Sequence, residues 1–216
     1  MIITIDGPAG AGKSTVAKLV AEQLGFEYLD TGAMYRGATW AALQQGTDLS
    51  DTQAVANLAS EMSLQFSGGK VIVNEQDVTD AIRGEQVTTN VSHVADNPLV
   101  RAHLVKWQQQ IASTGNYVCE GRDQGTVAFP DADCKIFLTA SNEERARRRY
   151  EQLVLKGEQV EYESILQQQN ERDQRDQSRP VGKLIKADDA VEVNTNGLSL
   201  DEVVERITEI FRARTN

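Results

Sequence analysis

Gly7-Pro8-Ala9-Gly10-Ala11-Gly12-Lys13-Ser14 obeys the pattern G-x-x-x-x-G-K-[ST]. In such a run, glycines let successive backbone N–H groups curl around a phosphate without interference from a Cβ. A helix beginning at the end of the run adds about half a positive charge. Lys13 is placed to reach the β- and γ-phosphates, and the Ser14 hydroxyl to ligate Mg²⁺. The flanks agree with this chemistry. Met1-Ile2-Ile3-Thr4-Ile5 reads as a short strand, and Val16, Ala17, Val20, Ala21 and Leu24 recur at helical spacing.

A second chemistry-bearing set is cationic. Asp30-Thr31-Gly32-Ala33-Met34-Tyr35-Arg36 follows a strand predicted at Tyr28–Leu29, and Gly121-Arg122-Asp123 follows one predicted at Tyr117–Glu120. Arg145, Arg147, Arg148 and Arg149 crowd a helix, where Glu143, Glu144 and Glu151 are available as surface partners. Arg172, Asp176 and Arg179 stand at i, i+4 and i+7, the spacing of one helix face. Ligands of open α/β sheets bind beyond the carboxyl ends of the strands, so these groups are expected to converge near the phosphate loop. That much guanidinium suits two phosphorylated substrates exchanging a phosphoryl group.

The elements that must position these residues alternate between short apolar runs and helical patterns, which predicts a parallel sheet with helices on both faces. Lys135–Thr139 and Ala190–Val193 complete the predicted strands; Ser141-Asn142-Glu143-Glu144 and Ser199-Leu200-Asp201-Glu202 are capping boxes. Leu64-Gln65-Phe66 and Val71-Ile72-Val73 flank Ser67-Gly68-Gly69-Lys70 and read as an antiparallel hairpin, an insertion over about residues 60–85. Ser67-Gly68-Gly69 also matches part of a transporter-ATPase signature, but there it should open a helix rather than turn between strands.

At 216 residues and 40% hydrophobic content, the chain can bury one sizeable core, read as a single domain over 1–216. Its net charge of −10 is the opposite of what a duplex or anionic membrane attracts, so neither is an expected partner. No apolar run approaches the ~18 residues of a membrane span, and no leader is expected ahead of the first strand. The two cysteines, Cys119 and Cys134, and two histidines, His93 and His103, lack metal-ligand spacing. A monomer in the reducing cytoplasm is the expectation. D-x-x-G and N-K-x-D, which a switch GTPase needs, are absent.

The chain resembles the bacterial-type cytidylate kinases, a family of P-loop nucleoside monophosphate kinases. The resemblance runs end to end. It is carried by I-D-G-P-A-G-A-G-K-S-T at 5–15, D-T-G-A-M-Y-R at 30–36, E-G-R-D-Q-G-T-V-A-F-P-D-A at 120–132, K-I-F-L-T-A-S at 135–141, E-E-R-A-R-R-R at 143–149 and E-R-D-Q-R-D-Q-S-R at 171–179. It implies an α/β fold with a five-stranded parallel sheet of order 2-3-1-4-5, an inserted monophosphate-binding lobe that includes the hairpin, and a lid near 147–162. It also implies transfer of the γ-phosphoryl of MgATP to CMP or dCMP, giving CDP or dCDP and ADP, in pyrimidine nucleotide metabolism. By position, Gly7 to Thr15 would hold the ATP phosphates. Thr31, Tyr35 and Arg36 match the monophosphate lobe, with Arg36 on the CMP phosphate. Ser92, Arg101 and Asp123 match cytosine readers, Arg122 and Arg179 further phosphate contacts, and Arg172 and Asp176 positions near the pentose. Lys13, Arg36, Arg122, Arg148 and Arg179 make up the expected catalytic set; spacing alone does not choose among the lid arginines.

Base chemistry points the same way. A carboxylate such as Asp123 accepts from the cytosine amine, and Arg101 and Ser92 can donate to the ring acceptors. Uracil would set an oxygen against the carboxylate. Kinases for UMP or a small metabolite, and a non-enzymatic nucleotide switch, are the rivals that an acceptor panel separates.

Overall fold

The computed structural model describes residues 1–67 and 69–215. Gly68, in the turn expected between the two hairpin strands, lies outside them. The chain divides into two compact units, one made of Met1–Leu29 with Ala112 onward and the other of Asp30–Ile111.

The first unit is built on a five-stranded parallel sheet. Its strands are β1 (Ile2–Asp6), β2 (Glu27–Asp30), β6 (Tyr117–Gly121), β7 (Cys134–Thr139) and β8 (Val191–Asn194), arranged β2-β6-β1-β7-β8. Counted within this sheet alone, that order is 2-3-1-4-5. β1 pairs in parallel with β6, Ile3 facing Val118, and with β7, Ile5 facing Ile136; β7 pairs in parallel with β8. Such a sheet is covered on both faces, so its strands read as nearly continuous apolar runs. Ile3, Ile5, Val118, Ile136, Leu138 and Val193 are accordingly buried. They share a core with Val16, Ala17 and Val20 of α1 (Lys13–Leu24) and Val203, Ile207 and Phe211 of α8 (Leu200–Thr215). Phe26 and Phe211 close it edge to face, with ring centroids 5.5 Å apart.

Helix ends follow the capping chemistry. Gly25 ends α1 in the left-handed region at φ 67°. Ser141 caps α6 (Asn142–Leu155) through its hydroxyl, which accepts from the Glu144 N–H at 3.2 Å. Ser199 and Glu202 exchange hydrogen bonds at the start of α8. α7 (Tyr162–Ser178) packs on α6 through Ile165, Ala146 and Leu153. Between β6 and β7 the chain makes a single π-helical turn, Gln124–Ala128, which the sequence reading did not anticipate.

The second unit holds α2 (Thr31–Gln44), α3 (Thr52–Glu61), α4 (Glu85–Ala95) and most of α5 (Pro98–Ala112), with a small antiparallel sheet of β3 (Leu64–Ser67), β4 (Lys70–Val73) and β5 (Gln76–Asp77). β3 pairs with β4, Leu64 facing Val73. Asn74 and Glu75, at φ 48° and 67°, form the two-residue turn into β5. Asp30 caps α2 by accepting from the Ala33 N–H at 2.9 Å. Gly37 lets α2 lie close on the hairpin: a Cβ there would stand 3.0 Å from Leu64 and 3.1 Å from Val73. That contact seats the helix that carries Thr31, Tyr35 and Arg36.

Candidate phosphoryl-transfer site

The glycine loop runs from the end of β1 to the first turn of α1. Gly7 has φ 150°, and a Cβ on it would stand 2.0 Å from the Leu138 carbonyl oxygen, so only glycine fits. Gly12, at φ 89°, is the N-cap of α1. Pro8, Ala9 and Ala11 are buried, whereas Gly10, Gly12, Ser14 and Thr15 are exposed at the helix N-terminus. Lys13 is buried, and its ammonium donates to the Pro8 carbonyl at 2.8 Å. Burial pushes this ammonium down to about 7. The Arg122 and Arg172 charges push the same way, while Glu120 and Asp6 oppose them. An anion bound beside Lys13 would favour its charged form, so phosphate binding and protonation of this ammonium reinforce each other.

The arginine that follows β6 meets the end of α7. Asp176 is buried, and its two oxygens accept from Arg122 Nε at 2.9 Å and from Arg179 at 2.5 Å. Burial alone raises the Asp176 carboxyl, but Arg122, Arg179 and Arg172 outweigh it and hold the group below its ordinary value. One carboxylate thus aligns two guanidinium groups. The one-face expectation for Arg172, Asp176 and Arg179 needs correcting in one respect. α7 ends at Ser178, and Arg179 is extended, at φ −54° and ψ 136°. Pro180 follows it and disfavours the helical region for its predecessor. Arg179 therefore reaches back to Asp176 from beyond the helix.

In the second unit, Thr31 and Tyr35 are buried on α2, and Arg36 donates to the Ile82 carbonyl and the Thr88 hydroxyl, both at 3.0 Å. Arg101, buried on α5, donates to the Ala95 carbonyl at 3.0 Å and lies over the Tyr35 ring, 5.2 Å from its centroid. Ser92 is half-buried on α4. Asp123, in the first unit, is buried just ahead of the π-helical turn, and its carbonyl accepts from the Val127 N–H at 2.8 Å.

The α6 arginines part company. Arg147 is exposed and paired with Glu144 and Glu151. Arg148 donates to Glu144 at 2.8 Å and to the Thr195 hydroxyl and carbonyl at 3.0 and 2.9 Å. Arg145 is 2% exposed and reaches the glycine loop: its guanidinium donates to the Ala9 carbonyl at 2.8 Å and pairs with Asp173 at 2.6 Å. Sequence reasoning missed Asp173 as a site residue, although it sits inside the E-R-D stretch. It also gave no role to Asp6, whose carboxylate accepts from the Gln124 and Gly125 N–H groups at 2.9 and 2.7 Å. Asp6 thereby ties the residue before the loop to the turn after Asp123.

Burial raises the Asp6 carboxyl to about 6, against the two N–H groups that favour its charged form. The folded protein then takes up this proton at higher pH than the unfolded chain, so stability rises as pH falls through 6. Between pH 7 and 5 the gain is about 1 kcal/mol. Melting temperatures across that window should rise in the parent and respond less in Asp6→Asn. A flat parent profile would contradict the assignment.

A phosphate loop at the carboxyl edge of a parallel sheet, with arginines aligned beside it, is the architecture of the P-loop kinases. A gluconokinase from Sinorhizobium meliloti 1021 shares the fold, with a TM-score of 0.52 at 18% identity over 98% of this chain and 91% of that one. The cytidylate kinase family profile matches residues 3–213. A cytidylate kinase from Rhodopirellula baltica is 50% identical over 212 residues, covering 98% of this chain and 93% of that protein. One from Bacillus subtilis is 49% identical over 217 residues, covering 99% and 97%. The chain belongs to the cytidylate kinase family. Among the described residues, no helix is long and apolar enough to cross a membrane.

Proposed function

We propose that this protein transfers the γ-phosphoryl group of ATP to CMP and dCMP, releasing ADP with CDP or dCDP. The observation that carries this reading is the near-complete match to cytidylate kinases at about half identity. The Arg122–Asp176–Arg179 arrangement beside the glycine loop supports it. An oxygen of the CMP phosphate forms the new bond to the γ-phosphorus while the bond to the β–γ bridging oxygen breaks, and the electron pair leaves with ADP. The attacking phosphate is already ionised near neutral pH, so no strong general base is needed. Positioning and charge stabilisation remain for the protein. Lys13 and the loop N–H groups hold the donor phosphates, and Arg36, Arg122 and Arg179 the acceptor phosphate; Arg148 would reach the transferring group only by leaving Glu144 and Thr195.

Mg²⁺ fits the donor side. The exposed Ser14 hydroxyl is a hard oxygen ligand, and magnesium commonly takes few protein ligands beside substrate phosphates. The ion supplies neutralisation of phosphate charge when bound. Residues 147–162 are the segment that closes over ATP, excluding water. A cytoplasmic monomer is part of the proposal; the buried thiols of Cys119 and Cys134, pushed by desolvation up to about 12 and about 11, stay protonated and poorly reactive at neutral pH.

ADP release with CMP, dCMP, UMP, AMP and GMP as acceptors tests the reading; turnover confined to another base overturns it. Asp123, Arg101 and Ser92 are assigned to the base. Asp123→Asn replaces half of the carboxylate's acceptor capacity with a donor. The ratio of kcat/KM for CMP over UMP should then narrow roughly tenfold or more. A well-folded variant with an unchanged ratio removes Asp123 from base recognition.

A further inference from the structure

Ala9 lies within the glycine loop, and both of its backbone polar groups point to one ion pair. Its carbonyl accepts from Arg145 at 2.8 Å, and its N–H donates to Asp173 at 3.4 Å. Arg145 and Asp173 meet each other at 2.6 Å. The other two guanidinium nitrogens also have partners within the chain, Nε donating to the Ala140 carbonyl at 3.2 Å and Nη2 to Asn142 at 2.5 Å. Packing at this point leaves no slack. A Cβ on Gly10 would come within 3.0 Å of Gln169 and 3.2 Å of Arg145, and Gln169 itself donates to the Arg145 carbonyl at 3.3 Å.

The pair joins α6, α7 and the loop, and α7 has a second attachment one turn further on. Asp173 and Asp176 stand at i and i+3, the spacing of helix neighbours. Asp173 grips the donor loop, and Asp176 aligns Arg122 and Arg179. A displacement of the loop relative to α7 would shift the donor phosphates against the arginines assigned to the acceptor.

We propose that Arg145 and Asp173 are a positioning pair, which holds Ala9 by both peptide groups and so keeps the donor-phosphate loop in register with the Arg122–Asp176–Arg179 cluster. The proposal rests on the kinase reading above. Arg145 acts through Ala9; its guanidinium is spent on the chain. A buried pair that merely braced two helices would affect folding alone, because a lone buried charge is costly wherever it sits.

The test uses Arg145→Lys and a double variant, Arg145→Met with Asp173→Leu. The lysine keeps the charge, but it loses the Nε and Nη2 donations to Ala140 and Asn142 that fix the guanidinium, and with it Nη1, against Ala9 and Asp173. The double variant removes both charges at once, so no charge is stranded if the single change fails to fold. Titrations with the magnesium complex of the non-transferable analogue AMP-PNP, titrations with CMP alone, steady-state kinetics and melting curves are measured on each. The analogue should bind roughly tenfold more weakly and kcat should fall by a similar factor or more, while CMP affinity stays within about twofold. Hydrogen exchange at the Ala9 amide should quicken. A double variant that is folded, with analogue affinity and kcat within about twofold of the parent, overturns the proposal, as does equal weakening of analogue and CMP. If the parent does not turn over CMP, the function reading fails, yet analogue binding and exchange still decide the positioning role.

Discussion

Lys13→Met yields a folded protein whose phosphoryl transfer is slower by roughly 10²–10³-fold. The ammonium is expected to stand against charge that develops on the transferring group, and loss of one such stabiliser costs on the order of 3–4 kcal/mol in the barrier. The fold should tolerate the change. Lys13 is buried, and its charge is disfavoured enough to bring its pKa from 10.5 to about 7. The hydrogen bond to Pro8 that disappears is worth about 1 kcal/mol, and removing a buried cation whose charge is disfavoured by desolvation offsets it. The unfolded chain holds this proton more tightly than the folded one, so the parent gains stability as pH rises from about 7 towards 10.5. Lys13→Met lacks that gain. Coupled ADP release and melting curves at pH 7 and 9 check both parts. Near-parental turnover in a folded variant contradicts the role given to Lys13.

Gly7→Ala should instead act on folding. Its methyl group would stand 2.0 Å from the Leu138 carbonyl oxygen, a backbone atom of β7 that cannot swing aside, and the backbone at φ 150° is one that alanine rarely adopts. Relief requires moving the loop or separating β1 from β7. We expect a loss on the order of 3 kcal/mol or more, read as a melting temperature lower by several degrees. The comparison is Gly46→Ala, at φ 65°, where nothing lies within 4 Å and backbone strain acts alone. Equal shifts in the two variants would show that the close approach at Gly7 carries no special cost.

What was legible in the sequence was local. The strand, glycine loop and α1 are contiguous, so composition and 3.6-residue spacing suffice to place Lys13 and Ser14. The capping boxes at Ser141 and Ser199 span three residues and appear as written. The Arg145–Arg149 run shows the limit. Arg147 pairs with glutamates three and four positions away, as helix spacing allows, but Arg145 turns to a carbonyl separated from it by 136 positions. Helix spacing does show that Arg145, unlike Arg147, has no acidic residue three or four positions away, but it does not show where that side chain goes instead. Asp6 and Asp173 were missed for a related reason. They act on backbone N–H groups, which leave no mark in the side-chain sequence, across separations of 118 and 164 residues. Arg179 was misread for want of weight on Pro180, a signal that was present.

The position of β1 has a consequence for how this molecule is made. It lies in the middle of the sheet, between β6 and β7. Its partner residues, Tyr117–Gly121 and Cys134–Phe137, leave the ribosome more than a hundred residues later. At ~5–20 residues per second, the β1 segment waits roughly 5–25 s with unsatisfied edges on both sides. Such distant pairing also slows the search for the native sheet. Asp30–Ile111, which is synthesised in that interval, forms its own compact unit. It has internal contacts to make while the central strand is still waiting, and the nascent chain should expose Ile2–Ile5 to chaperones until the second half arrives.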